Sequence, residues 1–264
     1  MKNLNLLVVE GNLPNENQNF KNSGIKTHAE SLQESLAYYS KDLNIDVFNP
    51  CAEKSFDKII PNIKKYDGLI WGGSSLSIYN DCIEIRRQIA FMKECLKNIK
   101  KILAICWGLQ VAVTVAGGEV RKSTKGAHRG IAHNIEINKL GANQPIYLNK
   151  KKVFNSPAFN FDEVVKIPEG ARLLASNKLN NVMCLRFNRN ISDIWGIQYH
   201  PEITYEKMVS LIHFRKERLI NKGAFKNQGE INDHVSMIEN EIKVTEKKSR
   251  MRELENWLNY LYEN

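Results

Sequence analysis

The chain has 264 residues, of which 42% are hydrophobic and 25% charged, and its formal net charge is +9. This length suits one large α/β domain with an appendage, and no apolar run is long enough to span a bilayer. Five cysteines, an odd number without close paired spacing, favour neither a disulfide framework nor a zinc site. We therefore expect a cytoplasmic protein without metal or cofactor, and the strand-like start at residues 6–9 is not typical of a signal peptide.

The positive charge is spread along the chain. Lysines are scattered among many asparagines, and the densest run, residues 150–152, precedes a predicted strand without interleaved aromatic residues. This distribution is typical of a solvated surface, so we expect no nucleic-acid partner.

The N-terminal half alternates predicted strands and helices. After a first strand at 4–9, a polar connection at 11–26 carries Pro14 and is predicted to be a long loop, suited to a lid or an acceptor-side loop. A helix then opens at Thr27, which forms a predicted capping box with Glu30. The next predicted elements are a strand at 45–48, a helix around 57–65, a strand ending at Gly72, and a helix at about 81–99 whose core stripe contains Ile83, Ile85, Ile89, Met92 and Leu96.

The C-terminal half changes pattern. Residues 120–187 are predicted to form short antiparallel strands, with His128 and His133 on the surface. Residues 226–264 are predicted to be mostly helical, as an appendage packed back on the domain or as a helix that docks a partner. The sequence thus predicts a doubly wound, mostly parallel α/β sheet with a small antiparallel subsheet over residues 1–225, and a C-terminal helical extension over 226–264.

A cysteine stands between a predicted buried strand and a predicted helix. Residues 101–105 form a short apolar run, Cys106 follows, and residues 109–116 have a helical pattern. The small residues Ala104 and Gly108 suit a tight strand-to-helix elbow, and a helix N-terminus favours the thiolate form of cysteine. The alternative is an inert buried cysteine at a strand end.

A histidine and a glutamate follow the strand-like segment 194–199. Residues two apart in extended backbone project to the same side, and Pro201 keeps His200 out of the helical region. Glu202 is then placed to fix the tautomer of His200, which is the arrangement of a nucleophile, a base and an orienting group. The alternatives are a surface histidine and a carboxylate at a helix start.

A glycine pair, Gly72-Gly73, ends the strand-like segment 67–71. Glycines let the backbone turn so that an N–H group points into a pocket, where it would form an oxyanion hole together with the N–H of Trp107. The alternative is an ordinary turn after a strand.

Taken in this order, Gly72-Gly73, the run 106–110 and the run 199–202 resemble the class I glutamine amidotransferase domain, and most closely the stand-alone proteins similar to the glutaminase half of GMP synthase. The resemblance covers about residues 4–222 and implies the flavodoxin-like class I glutaminase fold. It also implies that Cys106 is the nucleophile, His200 the base and Glu202 the third member of a triad.

The same resemblance assigns substrate contacts. Gly73 and Trp107 supply the oxyanion N–H groups, and the residues implied to contact the substrate are Gly72, Gln110, Asn160 and Phe161. Many relatives carry a Ser-His-x-Asp stretch where this chain has Phe-Asn-Phe-Asp at 159–162. This departure leaves the triad untouched and concerns coupling to an acceptor or partner.

The chain lacks a Gly-rich phosphate-binding loop and the Ser-Gly-Gly signature of an ATP pyrophosphatase. The resemblance therefore implies an enzyme that releases ammonia from glutamine through a γ-glutamyl thioester, for a separate synthetase or acceptor protein. Two alternatives stay open: a hydrolase of γ-glutamyl amines, and a non-catalytic regulatory subunit.

Overall fold

The computed structural model describes residues 3–53 and 55–263 and contains eleven strands in that part of the chain. In chain order they are β1 (Leu4–Val9), β2 (Leu43–Phe48), β3 (Gly68–Trp71), β4 (Lys101–Ile105), β5 (Glu119–Lys122), β6 (His128–Ile137), β7 (Val153–Asn160), β8 (Asp162–Lys166), β9 (Arg172–Ser176), β10 (Cys184–Arg189) and β11 (Ser192–Ile197).

The described residues also form ten α-helices and two short 3-10 helices. The α-helices are α1 (Pro14–Asn22), α2 (His28–Ala37), α3 (Ile83–Asn98), α4 (Trp107–Val115), α5 (Lys139–Ala142), α6 (Tyr205–Phe214), α7 (Lys216–Asn221), α8 (Gln228–Val244), α9 (Lys247–Arg250) and α10 (Arg252–Tyr262); the 3-10 helices are Ile60–Lys65 and Pro145–Tyr147. None of these helices is both long and apolar enough to cross a membrane.

Nine strands form one mixed sheet in the order β2-β1-β3-β4-β11-β10-β9-β6-β7. The five strands from β2 to β11 pair in parallel, and β10, β9, β6 and β7 extend the sheet in antiparallel fashion. Strands β5 and β8 pair separately as a small antiparallel sheet. The prediction of a doubly wound, mostly parallel sheet with a small antiparallel subsheet is confirmed, although most of the antiparallel strands continue the main sheet.

Inward of the edge strand β2, both faces of the parallel part are buried, which explains the largely apolar sequences of β1, β3, β4 and β11. In β1, Leu6 and Val8 belong to the core cluster that contains Leu32 of α2. The alternate residues Leu7 and Val9 belong to the core on the other face, with helices α3 and α4. This two-sided burial holds the ends of β3, β4 and β11 together, where the residues singled out by sequence analysis lie.

The connection at 11–26 is helical and not a long loop, so that prediction was wrong. Helix α1 has Pro14 in its first turn, where a missing N–H costs little, and Glu16 adds a favourable charge at the helix N-terminus. Phe20 is fully buried and meets Phe214 edge to face, with 5.5 Å between ring centroids. The packing of Phe20 therefore stabilises a helix that its asparagine-rich sequence does not predict.

Among the other local predictions, some are confirmed by the structure and others are wrong. The capping box of Thr27 and Glu30 is present. The segment 57–65 contains a 3-10 helix rather than an α-helix. At the start of α3, Ile83 is 52% exposed instead of lying in the core. His128 is buried and not on the surface, because Asn160 and Asn177 satisfy its two ring nitrogens at 2.9 Å each.

The described part of the C-terminal extension packs back on the sheet. Helix α8 contacts α6, and α10 inserts Trp257 and Leu258 into the core beside α2. The Arg250 side chain donates hydrogen bonds to the backbone carbonyl oxygens of Pro201 and Ile203, the latter at 2.7 Å. These contacts attach the extension to the segment that follows His200. The domain boundary between residues 225 and 226 stays a prediction.

A buried ion pair secures α10. Lys150 Nζ lies 2.9 Å from Glu253 Oε2, with side chains 3% and 0% exposed, and the other carboxylate oxygen accepts from Tyr199. We expect Glu253→Ala to lower the free energy of unfolding by about 3 kcal/mol, because it leaves a buried ammonium without its counterion. Urea denaturation would measure the loss.

The matched control is the exposed pair of Lys152 and Glu136, whose side chains are 74% and 59% exposed. Glu136→Ala should change stability by less than about 1 kcal/mol. Equal losses from Glu253→Ala and Glu136→Ala would contradict the stabilising role of the buried pair.

Candidate active site

Cys106 occupies a strained turn between β4 and α4. Its φ of 52° is rare for a residue with a side chain, and its N–H donates to the Ile197 carbonyl at 2.7 Å. A glycine is required at position 108 because the backbone of β3 lies close to it: a Cβ on Gly108 would be 2.5 Å from the Trp71 carbonyl oxygen. These contacts form the strand-to-helix elbow and fix the thiol between β3 and β11.

Cys106, His200 and Glu202 are brought together in a nearly closed site, where all three residues are buried. His200 Nδ1 lies 2.7 Å from Glu202 Oε1. Burial opposes protonation of His200, but the Glu202 carboxylate and the Cys106 sulfur outweigh it and raise its pKa to about 10. The arrangement therefore favours the protonated, imidazolium form of His200 beside the Cys106 sulfur.

The backbone around the histidine is held from several directions. The His200 N–H donates to the Pro157 carbonyl on β7 at 2.7 Å, and Ser35 Oγ of α2 donates to the Glu202 carbonyl at 3.0 Å. Lys207 also interacts electrostatically with Glu202, and burial lowers its pKa to about 8. The sequence did not predict these supporting contacts, or those of Arg250 with the carbonyls of Pro201 and Ile203. The reason is that Ser35, Lys207 and Arg250 belong to other elements.

Gln198 is a site residue that sequence analysis missed. Its Nε2 lies 3.3 Å from the Cys106 sulfur, and the side chain is fully buried. The sequence spacing could have indicated this role, because Gln198 is two residues before His200 and projects to the same side of an extended segment. A buried amide donor at this position stabilises negative charge on sulfur.

The glycine pair lies beside His200. A Cβ on Gly73 would come within 2.6 Å of the His28 ring and 2.9 Å of the His200 ring. The Gly72 carbonyl accepts the Gly108 N–H at 3.2 Å, which ties this turn to the start of α4. The structure thus places Gly73 next to His200 and Trp107 next to Cys106, and their oxyanion role stays a prediction.

His28, His200 and Glu202 are the one group that could hold a metal ion among the described residues, with ligand atoms within 4.8 Å of one another. The His28 and His200 rings, however, stack with 5.6 Å between centroids and 25° between planes. Burial also lowers the pKa of His28 well below its usual value, so this ring is neutral. Stacking and the bond to Glu202 account for the cluster without an ion.

A cavity of about 330 Å³ opens beside Cys106, a size suited to a small ligand. Its lining includes the predicted contact residues Trp107, Gln110, Asn160 and Phe161, whereas Gly72 is not among the lining residues. The Asn160 side chain is already bonded to His128 and to the Asp162 carbonyl, which leaves backbone groups for a substrate. Charged residues that sequence analysis missed also line this cavity: Lys122, Asp162, Arg215, Arg218 and Lys222.

The raised pKa of His200 predicts the alkaline limit of activity. A histidine with pKa about 10 keeps its proton below that pH and loses it above, so turnover should fall as pH rises through about 10. Glu202→Gln removes a negative charge that raises this pKa and should move the limit to lower pH. The pH dependence of kcat/KM measures both, with the exposed Glu206→Gln as control. An unchanged limit in Glu202→Gln would contradict this account.

The chain belongs to the class I glutamine amidotransferases, since the family model "Glutamine amidotransferase class-I" matches residues 26–216. Among curated proteins, it is 26% identical to the gamma-glutamyl-L-1-hydroxyisopropylamide hydrolase of a Pseudomonas species over 85% of this chain and 76% of that one. It is 32% identical to a subunit of the glutamine-hydrolysing GMP synthase of Sulfolobus acidocaldarius, over 56% and 74% of the two chains.

The fold is similar to that of solved glutamine amidotransferases. The crystal structure of a glutamine amidotransferase from Thermotoga maritima superposes with a TM-score of 0.72 at 17% identity, and the match covers 100% of both chains. The predicted family and the predicted fold are therefore confirmed.

Proposed function

We propose that this chain is a cysteine hydrolase that cleaves the γ-amide bond of glutamine or of a γ-glutamyl amide. The observation that carries the proposal is the buried contact of Cys106 with His200 and of His200 with Glu202. A structural cysteine needs neither a positive φ nor a histidine whose pKa is raised beside it.

In the proposed reaction, the Cys106 thiolate attacks the γ-carbonyl carbon and the carbonyl oxygen becomes an oxyanion. The N–H groups of Gly73 and Trp107 receive this charge. His200 gives its proton to the leaving nitrogen as the C–N bond breaks, which leaves a γ-glutamyl thioester on Cys106. Water then attacks the thioester and gives its proton to His200, and glutamate and the thiolate are released. Glu202 orients the imidazole and stabilises its charged form.

The first candidate leaving group is ammonia from glutamine, for use by a separate synthetase or acceptor protein. The similarity to a subunit of a glutamine-hydrolysing GMP synthase supports this candidate. Under this proposal the isolated chain is a slow glutaminase whose rate rises when the partner docks. The Gly72-Gly73 turn is the element that would adjust, because glycine tolerates a peptide flip.

The second candidate leaving group is an amine from a γ-glutamyl amide. The similarity to a γ-glutamyl amide hydrolase supports it. That match spans 85% of this chain and so extends beyond residues 26–216, which the family model matches. Neither candidate requires a cofactor, since the thiolate, the imidazole and water supply all the groups that react.

Steady-state kinetics on the purified chain test the proposal. Glutamine and a panel of γ-glutamyl amides are compared by glutamate release, with and without cell extract. Slow glutamine hydrolysis that rises with extract supports the ammonia candidate, and rapid cleavage of an amide without extract supports the amine candidate. Absence of turnover on every substrate, with or without extract, would reject the hydrolase in favour of a regulatory subunit.

A further inference from the structure

Arg215 is a largely buried cation that lines the cavity beside Cys106 and that the proposed reaction does not use. It lies at the junction of α6 and α7, and its side chain is 13% exposed. One guanidinium nitrogen contacts Glu16 of α1 at 2.9 Å, while the Nε atom is buried without a hydrogen-bond partner among the described residues. A buried guanidinium with an unused donor is costly unless something pairs with it.

Two aromatic rings fix where the guanidinium lies. Its central carbon is 5.3 Å from the ring centroid of Phe20 and 5.5 Å from that of Phe159. Arg215 and Cys106 line the same cavity, and the two groups interact electrostatically. Helix α1, whose Glu16 and Phe20 hold the side chain, precedes the segment that the family model matches.

Residues 157–160 end strand β7, Phe161 follows it, and residues 159–161 line the cavity. Pro157 anchors the His200 backbone, Phe159 packs against Arg215 two residues later, and Phe161 packs near Lys222 two residues beyond. Lys222 and Lys122 interact electrostatically with Asp162 at the far end, which gives that end both charge signs. The ammonium and carboxylate of a glutamyl group are therefore matched without Arg215.

The leaving group must lie on the His200 side, because His200 protonates its nitrogen. Arg215 interacts electrostatically with Cys106 and with His28, whose ring stacks on His200. We propose that Arg215 binds a carboxylate on the leaving amine, so that the preferred substrates are γ-glutamyl amino acids or peptides. This inference rests on the proposed γ-amide cleavage and specifies its substrate class.

The test compares γ-glutamylglycine with γ-glutamylethanolamine, which replaces the carboxylate by a hydroxymethyl group. The wild type should cleave the glycine compound with a kcat/KM about 10- to 100-fold higher, as expected for a hydrogen bond to a charged group. Arg215→Met keeps an apolar stem between Phe20 and Phe159 and should bring the two values within about threefold. Arg215→Lys should retain part of the preference.

Arg218→Met is the matched control, because Arg218 also lines the cavity and its replacement removes the same charge. This variant should keep the preference for γ-glutamylglycine. Equal losses on both substrates in Arg215→Met, or equal kcat/KM values in the wild type, would overturn the inference while leaving γ-amide cleavage intact. If Arg215→Met fails to fold, Arg215→Lys decides, since an unreduced preference there contradicts a geometric role of the guanidinium. Failure of the wild type on both compounds and on glutamine would instead reject the proposed function.

Discussion

Replacing Cys106 by alanine should abolish γ-amide cleavage, with a loss in kcat of about 10⁶-fold, as for removal of the nucleophile of a hydrolytic triad. The reason is that Cys106 alone combines the elbow, the neighbouring His200 and the amide donor of Gln198. An electrophilic glutamine analogue should add one label to the wild type and none to Cys106→Ala. Intact-protein mass spectrometry reads both results.

The other cysteines provide the controls. Burial raises the pKa of Cys51 and Cys184 to about 12 and that of Cys95 well above its usual value, so these thiols stay protonated at neutral pH. Cys82 is half-buried before α3 and is not among the residues that line the cavity beside Cys106. Cys82→Ser should therefore take up one label like the wild type. A label on Cys82 or Cys184 with Cys106 unmodified would show that the nucleophile has been misassigned.

Replacing His200 by alanine should reduce turnover nearly as far as loss of the cysteine, about 10⁶-fold, whereas Glu202→Gln should cost about 10⁴-fold. In the proposed mechanism, the histidine moves the proton, whereas the carboxylate orients the imidazole and stabilises its charge. The 2.7 Å contact between His200 Nδ1 and Glu202 Oε1 is the geometry behind this order. Rates of glutamate release on the best substrate would establish it.

Labelling separates the two roles. In Glu202→Gln the cysteine should still react with the glutamine analogue, more slowly than in the wild type, because His200 remains beside it. The circular dichroism spectra of both variants should match that of the wild type. Full activity in Glu202→Gln would refute the assignment of this residue as the third triad member.

The sequence predicted the parts of the site that depend on short-range backbone geometry. A short apolar strand, a cysteine and flanking small residues predict the elbow, because sterics at the turn admit few side chains there. The spacing across Pro201 predicts that His200 and Glu202 face the same way, because extended backbone alternates its side chains. The capping box at Thr27 is local in the same sense, and the structure contains it.

Asparagine-rich sequence hid helix α1, because its stability comes from Phe20 packing on α6 rather than from helical periodicity. The burial of His128 likewise depends on Asn160 and Asn177, which follow it by 32 and 49 residues. Such partners are distant in the chain, so no local pattern reports them.

By itself, the sequence predicted the family, the strands of the parallel part with most of the helices between them, and the candidates for nucleophile, base and orienting group. Tertiary structure decided what surrounds them: Gln198 at the sulfur, Arg250 on the carbonyls that follow His200, and Arg215 in the cavity. The physical reason is one of range. Backbone sterics and side-chain alternation act over a few residues, whereas burial, the pKa of His200 and the charge of the cavity arise from segments that meet only when the chain is folded.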